Sequence, residues 1–144
     1  VIYNPISNDL FTAERGRGAF LNDRRLRVAA RRDLREAVIG CGIPHLGRGD
    51  QAQFGKELAR LQPKVAGVRR FGAAALDLAW VAAGRMDGYW ERGLAAWDIA
   101  AGILLVREAG GRAEDIGGGD PLLTGDIVAG NDHIFEALKG EIAG

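Results

Sequence analysis

Apolar positions in residues 1–28 come in short runs, 1–4, 10–15, 19–21 and 26–28, broken by Asn4-Pro5, by Gly16 and Gly18, and by Asn22-Asp23. Runs this short between turn residues predict an antiparallel meander. From Ala37 the rhythm changes to strands alternating with helices. Strands are expected over 37–41, 65–68, 86–90 and 127–129, and helices over 50–61, 73–83, 97–109 and from Asn131 onward. Such alternation predicts a layered α/β/α domain on a mixed, partly parallel sheet. The expected division is therefore 1–36, antiparallel strands, and 37–144, an α/β unit.

Two helices carry clear punctuation. The 73–83 segment is apolar apart from Asp77, follows Gly72 and stops at Gly84, which predicts a buried helix closed by a glycine. Asp98 opens the run Ile99-Ala100-Ala101-Gly102-Ile103-Leu104-Leu105-Val106, which closes at Gly110-Gly111. The segment Gly117-Gly118-Gly119-Asp120-Pro121 reads as a loop.

Composition narrows the function classes. Nineteen Lys and Arg balance nineteen Asp and Glu over 144 residues, so no net field is available to hold a polyanion. One cysteine, Cys41, excludes an internal disulfide, and with only His45 and His133 beside it no Cys/His zinc cage can form. A reducing, cytoplasmic setting fits this usage. No apolar run reaches the roughly 20 residues that span a bilayer, so no membrane anchor is expected. The opening Val1-Ile2-Tyr3-Asn4-Pro5 reads as mid-strand, with neither an initiator Met nor a signal peptide, and the chain is expected to be a fragment.

Asp98 admits two readings. An aspartate at a helix start caps free amides whatever else it does. Yet Glu91 precedes it by seven residues, at the end of a predicted strand, so two carboxylates converge at the mouth of one sheet, where a hard cation or a polyhydroxyl ligand would sit. Arg69-Arg70-Phe71-Gly72-Ala73-Ala74 leads from a strand into a helix N-terminus, either a tight turn or a receiver of anions and hydroxyl oxygens. The arginines at 24, 25, 27, 31, 32 and 35 are interspersed with Asp23, Asp33 and Glu36, and read as a solvated face rather than an RNA site. Cys41 reads as a buried structural thiol, and Asp77 as a lone helix charge awaiting a partner.

The string Trp97-Asp98-Ile99-Ala100-Ala101-Gly102 through Arg107-Glu108-Ala109-Gly110-Gly111 resembles the C-terminal signature of the inositol monophosphatase family. The likeness extends to Arg69 through Ala79, to Val81 through Glu91, and to Asn4-Pro5 through Asn22, and is greatest with the bacterial inositol-1-monophosphatase type. It implies a Mg²⁺-dependent phosphomonoesterase, a hydrolase acting on inositol phosphates or related sugar phosphates, assembled as a homodimer. Asp98 matches the catalytic, metal-binding aspartate. Glu91 matches the carboxylate that holds substrate hydroxyls; Gly72, Ala73 and Ala74 match the helix-start amides on the inositol, and Arg69 a further substrate-associated position. Many members carry Ser or Thr where this chain has Ala73, which removes a hydroxyl and keeps the amide.

By the same resemblance, the remaining metal ligands lie in an upstream glutamate and an Asp-Pro-(Ile/Leu)-Asp-Gly-Thr motif that this chain lacks. The echo Asp120-Pro121-Leu122-Leu123-Thr124-Gly125 has Leu123 where the second aspartate belongs and reads as a turn. The chain is thus expected to be the C-terminal portion of such an enzyme, inactive alone, because one aspartate cannot hold the cations that hydrolysis needs. Alternatives are a phosphatase for histidinol phosphate, fructose bisphosphate or phosphoadenosine phosphate, a domain kept for dimerisation, and a module binding transcription or ribosomal-RNA machinery through the arginine run. Nucleic acid as a partner has no support in the composition.

Overall fold

The computed structural model describes residues 1–144. Strands β1 (Ile2–Asn4), β2 (Asp9–Glu14), β3 (Gly18–Leu21) and β4 (Arg24–Arg25) pair antiparallel in sequence order. The β3–β4 turn uses Asn22 (φ 46°) and Asp23 (φ 66°), the left-handed pair that a two-residue hairpin requires and that short polar side chains tolerate. The 26–28 run does not form the fourth strand. The Leu26 amide still bonds Ala19 O of β3 at 2.8 Å, but the Val28 amide donates to Ala109 O at 3.0 Å, so the ladder ends at buried Leu26 and the segment packs against the end of a helix.

The second sheet contains β5 (Val38–Cys41), β6 (Gly67–Arg69), β7 (Gly88–Glu91), β8 (Arg112–Asp115) and β9 (Ile127–Gly130), in the order β6-β5-β7-β9-β8. β5 runs parallel to β6 and β7, and β9 antiparallel to β7 and β8. The helices are α1 (Gln51–Leu61), α2 (Ala74–Ala82), α3 (Ala96–Glu108), the single turn α4 (Pro121–Thr124) and α5 (Asp132–Ala143). Strand β8 escapes the hydrophobic pattern because Arg-Ala-Glu-Asp at a sheet edge needs few apolar residues.

Strand alternation divides the core between the two faces of this sheet. Tyr89, Ile127 and Ala129 join Leu78, Ile99 and Leu105 of α2 and α3, while Trp90, Val128, Ile39 and Cys41 join Leu61 of α1 and Phe135 and Leu138 of α5. The meander closes the outer side of α2 and α3, where Ile2, Phe11 and Ala19 enter the same cluster. The layers therefore run meander, α2 and α3, mixed sheet, α1 and α5. Each fully buried large side chain contributes roughly 1.5–3 kcal/mol. Helices α2 and α3 touch so closely that a Cβ on Gly102 would lie 2.5 Å from Leu78 Cβ.

Candidate functional site

The parallel strands β5, β6 and β7 are followed by α1, α2 and α3, so three strand C-termini and three helix N-termini meet at one edge. In open α/β sheets this edge is where ligands bind. The caps differ in a telling way. Asp50 accepts from Gln53 N at the start of α1, Asp120 from Leu122 N at α4, and Asn131 from Ile134 N at α5. The helices α2 and α3 begin at Ala73 and Ala95, which have no side chain to cap with. With no capping side chain at these positions, amides in their first turns remain open to a ligand or solvent, although the Asp98 amide bonds back to Ala95 O at 3.0 Å.

Glu91 ends β7, half-buried, beside Gly42. A Cβ at Gly42 would fall 1.8 Å from Glu91 Cδ, so glycine is what makes room for this carboxyl. The Tyr89 phenol, two residues back on the same strand face, donates to Glu91 Oε2. Burial and, secondarily, the charge of Asp98 raise the Glu91 pKa, against the pull of Tyr89, Arg48 and Arg70. The Tyr89 phenol is raised by burial and by Glu91, which keeps it a donor.

Asp98 lies in the first turn of α3, half-buried, and accepts from Ala95 N at 3.0 Å through Oδ2. The capping reading is seen in Oδ2, and the other carboxylate oxygen makes no hydrogen bond to protein. Gly72 takes φ +85°, beyond which Ala73 is extended and Ala74 begins α2. Arg69, at the end of β6, is exposed and donates to its neighbour's carbonyl, Val68 O, at 3.0 Å.

Beneath these residues lies Asp77, 1% exposed, whose Oδ1 has no hydrogen-bond partner. No side chain supplies the charged partner expected for it. Burial, then the negative charge of Glu91, raise its pKa to about 7, with the Ala73 amide and Arg70 opposing. The Cys41 thiol is pushed up to about 12 by burial and by Glu91 and Asp77, so it is no nucleophile at neutral pH.

A cavity of about 270 Å³ opens beside Glu91, between loop 42–50 and the residues after β7. Its wall holds an ionic network that pattern reading missed. Glu57 accepts from Trp90 Nε1 at 3.0 Å and pairs with Arg92 at 2.7 Å, and Arg92 also pairs with Asp126 at 2.9 Å. The available signal was a glutamate on the buried stripe Phe54-Glu57-Leu58-Leu61 of α1.

The arginine run is partly structural. Arg31 pairs with buried Asp87 at 3.2 Å, and Arg35 with Asp33 at 2.6 Å. Asp120 is spent as the α4 cap, so its Asp-Pro echo is a turn with its carboxylate engaged. Asp98 has the ligand chemistry of a hard cation, which takes about six oxygens. No three His, Cys, Asp or Glu side chains in the structure converge to hold one, so these residues do not by themselves make a metal centre.

The sequence model described as the inositol monophosphatase family matches residues 1–143. The chain is 62% identical over 140 residues to an inositol-1-monophosphatase of Rhizobium meliloti, covering 96% of this chain and 53% of the relative. It is 49% identical over 139 residues to the Nus factor SuhB of Escherichia coli K12, covering 96% and 52%. Among solved structures, the extragenic suppressor protein suhB from Bartonella henselae superposes with a TM-score of 0.95 at 56% identity, over 99% of this chain and 56% of that one. The inositol monophosphatase from Anabaena gives 0.87 at 36% identity, over 99% and 57%. The chain thus spans about half the length of the curated relatives it matches. No helix is long and apolar enough to cross a membrane.

Proposed function

The chain belongs to the inositol monophosphatase family, and on that premise we propose that it supplies one side of a phosphomonoesterase site for inositol monophosphate or a related sugar phosphate. The observation that carries this is the pairing of Asp98 and Glu91 with two helix N-termini whose cap positions are alanine. Glu91 accepts substrate hydroxyls, oriented by the Tyr89 phenol on its other oxygen. The amides around Gly72, Ala73 and Ala74 receive substrate oxygens, favoured by the positive end of α2, with Arg69 flanking them. Here Ala73 leaves this contact to the backbone alone.

Mg²⁺ is the cofactor of this reading. Asp98 contributes a single carboxylate to it, and the other ligands belong to protein outside this chain. Residues 1–36 we read as the edge of one subdomain, with 37–144 the next. Alone, the chain has negligible turnover. The full enzyme is a homodimer in the cytoplasm.

Phosphate release from myo-inositol 1-phosphate, with and without Mg²⁺, tests this. The 144-residue chain is compared with a longer protein carrying the family's Asp-Pro-(Ile/Leu)-Asp-Gly-Thr motif, as wild type and as Asp98→Asn. Activity confined to the longer protein and lost in Asp98→Asn is expected. Robust Mg²⁺-dependent release from the short chain overturns the half-site reading.

A second reading has one observation in its favour. Relatives about half identical to this chain bear the name Nus factor SuhB, and Arg24, Arg25, Arg27 and Arg32 are exposed without carboxylate partners. On this reading the run contacts transcription machinery. Arg32→Glu, which spares the Arg31–Asp87 pair, abolishes such a complex and leaves hydrolysis by the longer protein intact.

A further inference from the structure

The charges lining the cavity beside Glu91 are unevenly committed. Arg92 is shared between Glu57 and Asp126. Asp50 caps α1, and Glu91 is engaged by Tyr89. Arg48 differs, because its one side-chain hydrogen bond runs from Nη2 to the carbonyl of Gly93 at 2.9 Å, with no carboxylate paired to it. A guanidinium has five N–H donors, so most of those on Arg48 remain open. Arg48 is held between Gly47 (φ 77°) and Gly49 (φ 81°), and the bond to Gly93 ties loop 42–50 to the segment joining β7 and α3.

Arg48 and Glu91 line the same cavity, and the arginine is close enough for its charge to act on the carboxyl. At about 270 Å³ the space is at the small end of ligand pockets, which run from roughly 300 Å³ upward. Its polar groups are unlike: the half-buried Glu91 carboxyl, which takes hydroxyls and repels anions, and the exposed Arg48 guanidinium, a planar cation with no paired carboxylate and suited to a phosphate or carboxylate. A ligand matching both presents hydroxyls at one edge and a negative group beyond them.

We propose that this cavity is a second anion subsite, in which Arg48 receives a phosphate or carboxylate carried by the alcohol part of the substrate. Resting on the phosphomonoesterase reading, it makes the favoured substrates polyol phosphomonoesters that bear a further anionic group across the ring. Arg48 is then the residue that separates these from simple monophosphates.

The test is an amide NMR titration of the ¹⁵N-labelled chain with two probes, myo-inositol 1-phosphate and myo-inositol 1,4-bisphosphate. Wild type, Arg48→Gln, Arg48→Lys and Glu91→Gln are compared. The bisphosphate is expected to bind wild type about tenfold more tightly and to shift the amides of Arg48 and Gly93. Arg48→Gln removes that advantage, Arg48→Lys restores part of it, and Glu91→Gln weakens both probes. An advantage that survives Arg48→Gln, or equal losses for both probes, overturns the subsite. A Glu91→Gln variant that binds both probes like wild type overturns the hydroxyl-binding reading while leaving the Arg48 comparison to stand. Absence of shifts from either probe overturns both.

Discussion

The substitution Asp77→Asn removes one ionisable group from beneath the site without changing its shape. In the folded chain this carboxyl loses its proton at about pH 7; in the unfolded chain it does so near 3.8. The folded value is the higher one, so between these pH values the folded state holds a proton that the unfolded state has released. Stability therefore falls as pH rises through that window and is flat above it. The cost of Asp77 is about 1.7 kcal/mol at pH 5 and about 4 kcal/mol at pH 8, from about 1.4 kcal/mol per pH unit of separation. The asparagine amide does not titrate. Whatever its offset at pH 5, the variant is expected to gain about 2.5 kcal/mol over wild type between pH 5 and pH 8. The assay is urea unfolding of both proteins at the two pH values, followed by tryptophan fluorescence, since Trp90 is fully buried against Phe54. With a slope of about 1–3 kcal/mol per molar urea, the midpoint difference should move by roughly 0.8–2.5 M. Midpoint differences equal at pH 5 and pH 8 would refute the assignment of a buried, charge-penalised Asp77.

Three further outcomes follow from the same geometry. Gly42→Ala drives a methyl into the Glu91 carboxyl and should weaken myo-inositol 1-phosphate binding at least tenfold while far-UV circular dichroism stays native; undiminished binding in calorimetry would count against the cradle. Glu57→Ala leaves the buried Trp90 indole N–H without its acceptor while Arg92 keeps Asp126, a loss of about 1–3 kcal/mol measurable by denaturant titration. Asp98→Asn keeps an oxygen that can accept from Ala95 N, so the chain's unfolding midpoint should move by less than about 1 kcal/mol equivalent although the longer protein loses its activity; a large destabilisation would make Asp98 a purely structural cap.

Local features were legible where the physics is local. Glycine stops, the Asp50 and Asn131 caps and the apolar runs of α2 and α3 depend on residues within a turn or two of one another, and these elements fell close to where the pattern placed them. The convergence of Glu91 and Asp98 was also readable, since seven residues cannot separate a strand end far from a helix start. Strand β8 was not, because an edge strand needs little apolar content, nor was the fate of residues 26–28, which the C-terminal end of α3 draws out of the ladder.

By itself the sequence determined the layered α/β class, the family resemblance and the two carboxylates at one sheet edge, because each rests on short-range pattern or on a contiguous motif. Only the tertiary structure decided that Gly42 makes room for Glu91, that Asp77 lies beneath it with an oxygen unsatisfied, and that Arg92 is neutralised while Arg48 remains free. These facts join residues from β7, α1, α2 and the loops after the strands. Strand order and helix docking bring most of them together across separations of 30 to 50 positions in the sequence, and no local propensity encodes which buried charge will meet which partner.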